Sequence, residues 1–526
     1  MTLSHFAVLL AAMAPLALAG AVRAQTASPS AGPRVAVDGG TVVGVQTGEL
    51  ASFKGIPFAA PPVRELRWRP PRPVTPWSGE LLADRFSPMC LQPLRAKNSV
   101  FYLGEEPSSE DCLYLNVWST AKAGDKRPVM VFVYGGGWTI GSASLPLYGG
   151  EALAQKGAVV VSFNYRVGAL GFFAHPELTA EGNGASGNYG LMDMVAALKW
   201  VRANIERFGG DPGNVTLYGQ SAGSVGIALL QTSPQAKGLF HRAIGQSGGY
   251  NISGPLPSLA DAEKAGVASA AKLKAPSLAA LRNLGGDTIM NGDNNLRPII
   301  DGAVLAQQPA QVFAGGGQMA MPTLVGSNAD EGTAYPVAMS PAAFAADAEK
   351  RYGADAQRLL ALYPAATDAE ARAASYALMR DRTFAAPMRR WASEQSAVAP
   401  VFVYHFSRVH PFVEGLGYAQ QNPATGMGAY HGAEMAYAYG TLDVLNRFAK
   451  TRAWSEEDRR YADAMISYWV NFARTGNPNG EGPNGEGSPA WPAYKLGSEQ
   501  AMLFGKTIAA GALPNKAQLD FFFDRN

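Results

Sequence analysis

The chain has 526 residues, of which 47% are hydrophobic and 16% charged. That is apolar enough for a large buried core, and the chain is neither disordered nor membrane-like in its bulk. Its 44 basic and 42 acidic residues leave a net charge of +2, which gives no basis for binding nucleic acid, because phosphate recognition needs a basic excess or stripe.

Residues 6–21 are an apolar, Ala- and Leu-rich stretch, shorter than a membrane span, followed by Val22-Arg23-Ala24, a small-residue cleavage pattern. Residues 1–24 are therefore expected to be a signal peptide cleaved near Ala24, although residues 1–5 carry no Lys or Arg. The mature protein would be secreted or periplasmic. No later segment is apolar for long enough to span a membrane, so no stable membrane insertion is expected. Only two cysteines exist, Cys90 and Cys112; in an exported chain a pair this close reads as one disulfide, stabilising by ~3 kcal/mol on the chain-entropy model.

From residue 128 onward the pattern alternates strands and helices. Residues 128–134 form a short apolar run ending in three glycines, and 158–163 form another buried strand. Residues 193–208 have helical periodicity, stopped by Gly209-Gly210-Asp211-Pro212; 215–218 is the next strand and 224–231 the next helix. Strands at 322–326 and 401–406 follow, with helices expected at 341–352 and 368–382 over one end of the sheet. Residues 462–474 form an amphipathic helix, stopped at 475–478, after which Pro-Asn-Gly-Glu-Gly occurs twice in tandem as a surface loop. Continuously apolar strands alternating with helices predict an α/β fold with a mostly parallel, doubly wound sheet. No long linker interrupts residues 25–526, so they are expected to form one domain.

Gly219-Gln220-Ser221-Ala222-Gly223 matches G-x-S-x-G and lies between a strand and a helix, the context that a nucleophile elbow requires. A serine hydroxyl needs a base, and in this kind of sheet the acid and then the histidine follow the serine. Of six histidines, His5 lies in the leader, His175 precedes the serine, His241 follows it too soon and His405 sits mid-strand. His410 lies in a Pro-flanked loop and His431 in a small-residue loop, 428–434, that ends in Glu434. Asp330 and Glu331 follow a strand directly, where such acids belong, and chemistry alone leaves both open. Gly135-Gly136-Gly137 follows a strand and can aim several N–H groups at one oxyanion; the Ala222 amide is a further donor.

These residues resemble the type-B carboxylesterase family, which includes the cholinesterases. The resemblance covers nearly the whole mature chain. It runs through Phe53-Lys54-Gly55-Ile56-Pro57-Phe58-Ala59, Glu65-Leu66-Arg67-Trp68 and Glu110-Asp111-Cys112-Leu113-Tyr114-Leu115-Asn116-Val117. It continues through Phe208-Gly209-Gly210-Asp211-Pro212 and Asn471-Phe472-Ala473-Arg474-Thr475-Gly476-Asn477-Pro478. It implies an α/β-hydrolase fold with helical insertions over an active-site gorge, no cofactor and no metal, and a small-molecule ester as substrate. By position it implies Ser221, Glu331 and His431 as the catalytic triad, Gly136, Gly137 and Ala222 as the oxyanion hole, and a Cys90–Cys112 disulfide. Tyr134 stands where many members have histidine before the glycines, though cholinesterases carry tyrosine there. Gln220 stands where glutamate is usual, which keeps hydrogen bonding and drops a charge.

Cholinesterases bind a quaternary ammonium on a tryptophan of the first disulfide loop; residues 91–111 contain Phe101 and Tyr102 but no tryptophan. With Gln220, this points to a neutral or anionic ester rather than a choline ester. Amide or lactone hydrolysis would use the same triad. A non-catalytic binding protein, known among relatives that lack the nucleophile, fits poorly with every catalytic position filled.

Overall fold

The computed structural model describes residues 32–523 except 105, 253, 293–295 and 480–488. The expected signal peptide and most of the tandem repeat lie outside the described residues.

Eleven strands form the central sheet. In chain order they are β1 (Val45–Thr47), β2 (Leu50–Pro57), β3 (Tyr114–Ser119), β4 (Arg127–Val133), β5 (Val159–Phe163), β6 (Gly210–Gln220), β7 (Arg242–Gln246), β8 (Thr323–Asn328), β9 (Val401–Phe406), β10 (Gln500–Phe504) and β11 (Ile508–Ala512). Their order across the sheet is β11-β10-β9-β8-β7-β6-β4-β5-β3-β2-β1. The strands from β5 to β10 pair in parallel, and the antiparallel pairs lie at the two edges. All residues of β5 and β8 are buried, as expected of parallel strands covered on both faces. This is the expected α/β-hydrolase fold, a large mixed sheet flanked by helices.

From β4 the chain moves to β5 on one side and returns to β6 on the other. The strand order reverses there, and the carboxyl ends of the strands at such a switch point are the usual place for a ligand in an open α/β sheet. The segments leaving β4, β6, β8 and β9 carry the glycine run, Ser221, Glu331 and His431.

Several helix boundaries differ from the sequence reading for identifiable reasons. The helix expected from residue 193 begins earlier, as α1 (Tyr189–Asn204), and ends in a 3₁₀ turn, Ile205–Phe208. Gly190 argues against a helix by propensity, yet the position tolerates nothing larger: a Cβ there would lie 2.6 Å from the Arg166 carbonyl oxygen. The elbow helix is α2 (Ala222–Leu230), and α3 (Pro341–Tyr352) has the expected bounds. Residues 368–382 are not one helix. α4 (Asp368–Met379) passes into a π-helical turn, Arg380–Ala385, and then into α5 (Ala386–Ser396). The late amphipathic helix, α6 (Glu456–Thr475), starts six residues earlier than expected, on a Ser455/Asp458 capping box, and stops at Gly476 with φ 82°.

Cys90 and Cys112 are joined, closing a loop of sequence separation 22 with their Cα atoms 4.9 Å apart.

Candidate active site

Ser221 has φ 57° and ψ −128°, a conformation that an L-residue adopts only when its surroundings force it. The flanking glycines allow the tight packing that holds it there. A Cβ on Gly219 would lie 2.5 Å from the Val133 carbonyl oxygen, and one on Gly223 2.0 Å from the same atom. The turn is thus pressed against the end of β4, and the Ser221 amide donates to the Gln246 carbonyl at 2.8 Å.

The glycine run continues from that end of β4 along the elbow. A Cβ on Gly135 would approach the Gln220 carbonyl oxygen to 2.5 Å and Ser221 Cβ to 2.9 Å, so the two segments touch. Gly136 (φ 118°) and Gly137 (φ 63°) adopt left-handed backbone that turns their amides, and among the described residues neither donates to a backbone acceptor. Ala222 opens α2, where an amide has no intrahelical partner. Unsatisfied donors from two segments beside one serine suit a developing oxyanion.

His431 is 5% exposed and Glu331 fully buried, and His431 Nδ1 lies 2.6 Å from Glu331 Oε2. The other carboxylate oxygen, Oε1, accepts from Ser247 Oγ at 2.6 Å and from the Asn328 amide at 2.7 Å. Asp330 faces elsewhere: its Oδ2 accepts from the Ala429 amide at 2.8 Å, which ties down the loop that carries the histidine. His410 is buried behind this loop with Nε2 2.8 Å from the Ala433 carbonyl, and burial pushes it down to about 3. His405 stays on β9, pushed down to about 4 by burial.

Gln220, Tyr134 and Glu434, expected beside the active site, divide into two groups. Gln220 lines the cavity, and its Nε2 lies 3.0 Å from His431 Nε2. An amide nitrogen can only donate, so this ring nitrogen presents its lone pair and the Nδ1 proton points to Glu331. Tyr134 lies behind the glycine run. Its hydroxyl donates to the Tyr165 carbonyl at 2.7 Å, and the two rings stack 4.2 Å apart.

Glu434 is also behind the site, fully buried, with Oε1 accepting from Gln246 Nε2 at 3.0 Å and Oε2 accepting from Asn328 Nδ2. Burial, with the Glu331 charge adding to it, pushes its carboxyl from 4.5 to about 7. Between those pH values the native protein holds a proton that the unfolded chain has released, so this group lowers stability as pH rises through the window. Glu434→Gln is expected to flatten that dependence. The difference in urea-unfolding free energy between pH 5 and pH 8 should shrink by on the order of 1–3 kcal/mol; an unchanged difference would assign the proton to another group.

Sequence reading missed the residues that hold the triad candidates from outside. Ser247 and Asn328 fix Glu331, and the Gln246-Ser247 pair at the carboxyl end of a strand was the available signal. Phe384, on the π-helical turn, packs 4.6 Å from the His431 ring, and Tyr335 and Phe101 lie 5.6 and 6.4 Å from it. The cavity over Ser221 has a volume of about 380 Å³, within the usual range for small-molecule sites. A larger surface cleft beside Trp68 and Lys199 contains none of these groups.

A model of the carboxylesterase family matches residues 31–522 of this chain. Fumonisin B1 esterase of Sphingopyxis macrogoltabida is 38% identical over 497 residues, covering 90% of this chain and 86% of that protein. Para-nitrobenzyl esterase of Bacillus subtilis (strain 168) is 34% identical over 493 residues, 89% of this chain and 94% of its own. The solved structure of a thermophilic PNB esterase superposes with a TM-score of 0.79 at 32% identity, covering 93% of this chain and 99% of that one.

Proposed function

The chain belongs to the carboxylesterase family and is a carboxylic-ester hydrolase, and from that premise we propose that Ser221, His431 and Glu331 carry the reaction through an acyl-enzyme. The observation that carries this reading is the 2.6 Å contact between His431 Nδ1 and buried Glu331, with His431, Ser221 and Gly135 to Gly137 lining one cavity. His431 Nε2, once the Gln220 amide releases its lone pair, takes the Ser221 Oγ proton as the serine attacks the ester carbonyl. The amides of Gly136, Gly137 and Ala222 hold the oxyanion. His431 then protonates the leaving alcohol, and water activated by the same histidine releases the acid.

The substrate is a neutral or anionic ester rather than a choline ester. No carboxylate lines the cavity among the described residues, and Gln220 contributes an amide where a charge would attract a cation. The enzyme acts outside the cytoplasm, a reading supported by the apolar leader at residues 6–21 and by the Cys90–Cys112 bond. A phosphonylating inhibitor is expected to add once per chain, on the peptide that contains Ser221. Phenyl acetate is expected to exceed acetylcholine in kcat/KM; the reverse order would overturn the substrate reading, and labelling elsewhere would overturn the nucleophile.

A further inference from the structure

The loop closed by Cys90 and Cys112 brings one cation to the catalytic cavity. Arg95 is half-buried and lines the same cavity as Ser221, His431 and the glycine run. Its guanidinium lies 5.6 Å over the Phe101 ring, and Phe101 in turn lies 6.4 Å from the His431 ring. Apart from the histidine, the remaining lining is uncharged: Val100, Leu103, Leu145, Leu147, Met435 and Leu445 make much of the wall.

Three of the four fully buried arginines among the described residues face an anion. Arg67 pairs with Glu110 at 2.6 Å, Arg166 with Asp193 at 2.8 Å and Arg389 with Glu499 at 2.6 Å. Buried Arg452 instead donates to the hydroxyls of Tyr418 and Tyr430. Arg95 has neither arrangement. Among the described residues, no carboxylate and no hydrogen-bond acceptor meets it; its guanidinium lies over the Phe101 ring, and the phenols of Tyr148 and Tyr335 are near enough to act on its charge. Burial pulls its guanidinium below the ordinary arginine range, while the phenols of Tyr148 and Tyr335 oppose that pull. A cation partly withdrawn from water without a counter-ion loses hydration that a matching anion can replace. A guanidinium offers a two-pronged fork that fits a carboxylate.

We propose that Arg95 receives a free carboxylate of the substrate, so that this esterase prefers esters whose acyl or alcohol part carries a second, unesterified carboxylate. The proposal rests on the reading of Ser221 as nucleophile. The carboxylate binds in the apolar cavity beside Phe101 while the ester carbonyl lies between Ser221 and the glycine run. The same charge repels a quaternary ammonium.

The test compares three esters: monoethyl glutarate (carboxylate on the acyl side), 4-acetoxybutanoate (carboxylate on the alcohol side) and neutral ethyl butanoate. Wild type is expected to favour at least one anionic ester in kcat/KM. In Arg95→Leu the ratio of that anionic ester to the neutral one should fall by about 10- to 100-fold, chiefly through KM. Arg95→Lys should recover part of the ratio, since it restores the charge without the fork. Glutarate should compete with substrate in the wild type, and glutaramide should not, a measurement that needs no variant. An unchanged ratio in Arg95→Leu, with all esters slowed together, would make Arg95 a structural residue of its loop and overturn the proposal. So would a wild type that prefers ethyl butanoate to both anionic esters. Hydrolysis of ethyl butanoate that survives Ser221→Ala would remove the premise itself, a failure recognisable because it involves no charged substrate.

Discussion

Replacing Ser221 by alanine is expected to lower kcat for p-nitrophenyl butyrate by about 10⁴- to 10⁶-fold while leaving the fold intact. The methyl group removes only Oγ. The elbow's backbone contacts, including the Ser221 amide to the Gln246 carbonyl, remain, and so do Gly219 and Gly223 against the Val133 carbonyl. A residual rate from the oxyanion donors and substrate binding is expected. Steady-state kinetics beside a thermal melt reads both halves of this result. An active alanine variant would mean that another group attacks the ester, and a variant with a collapsed melt would be uninformative about chemistry and calls for Ser221→Gly as the second variant.

Glu331→Gln is expected to cost about 10⁴-fold in kcat, because here the direction in which the new amide turns is dictated by its neighbours. The Asn328 amide and Ser247 Oγ both donate to Oε1. The glutamine must place its carbonyl oxygen there, which leaves its NH₂ facing His431 Nδ1. That nitrogen then becomes an acceptor, the ring proton moves to Nε2, and the base can no longer take a proton from serine. Asp330→Asn provides the contrast: Asp330 meets the Ala429 amide and not the imidazole, so it should lose far less activity. If the two variants lost activity in the opposite order, the assignment of the acid would pass to Asp330.

The sheet and the elbow were legible because both are written locally. Apolar runs such as 128–134 and 158–163 announce buried parallel strands, and Ser221 stands between a strand and a helix. The edge strands were not legible. β1 is exposed along its whole length, so no hydrophobic pattern marks it. The π-helical turn at Arg380–Ala385 has a sequence that reads as ordinary helix, and its placement follows from tertiary packing, including Phe384 against His431. Asp330 and Glu331 were inseparable by chemistry alone, because what distinguishes them is the reach of one to an imidazole 100 positions away. Arg95 carried no local signal at all: it sits in an irregular loop, and its meaning comes from the partners that it lacks.

The backbone of Ser221 gives this enzyme a conflict between being stable and being active. A non-glycine residue held at φ 57° and ψ −128° costs roughly 1–3 kcal/mol, and glycine, which has no Cβ, would relax much of it. On the proposed role of Ser221 as nucleophile, hydrolysis requires the serine that folding alone disfavours. In a descendant released from that requirement, position 221 would be under pressure from folding alone to drift to glycine. On that proposed role, loss of activity should leave its first trace at position 221, while the supporting glycines at 219 and 223, which have no room for any side chain, persist as a fossil of the catalytic past.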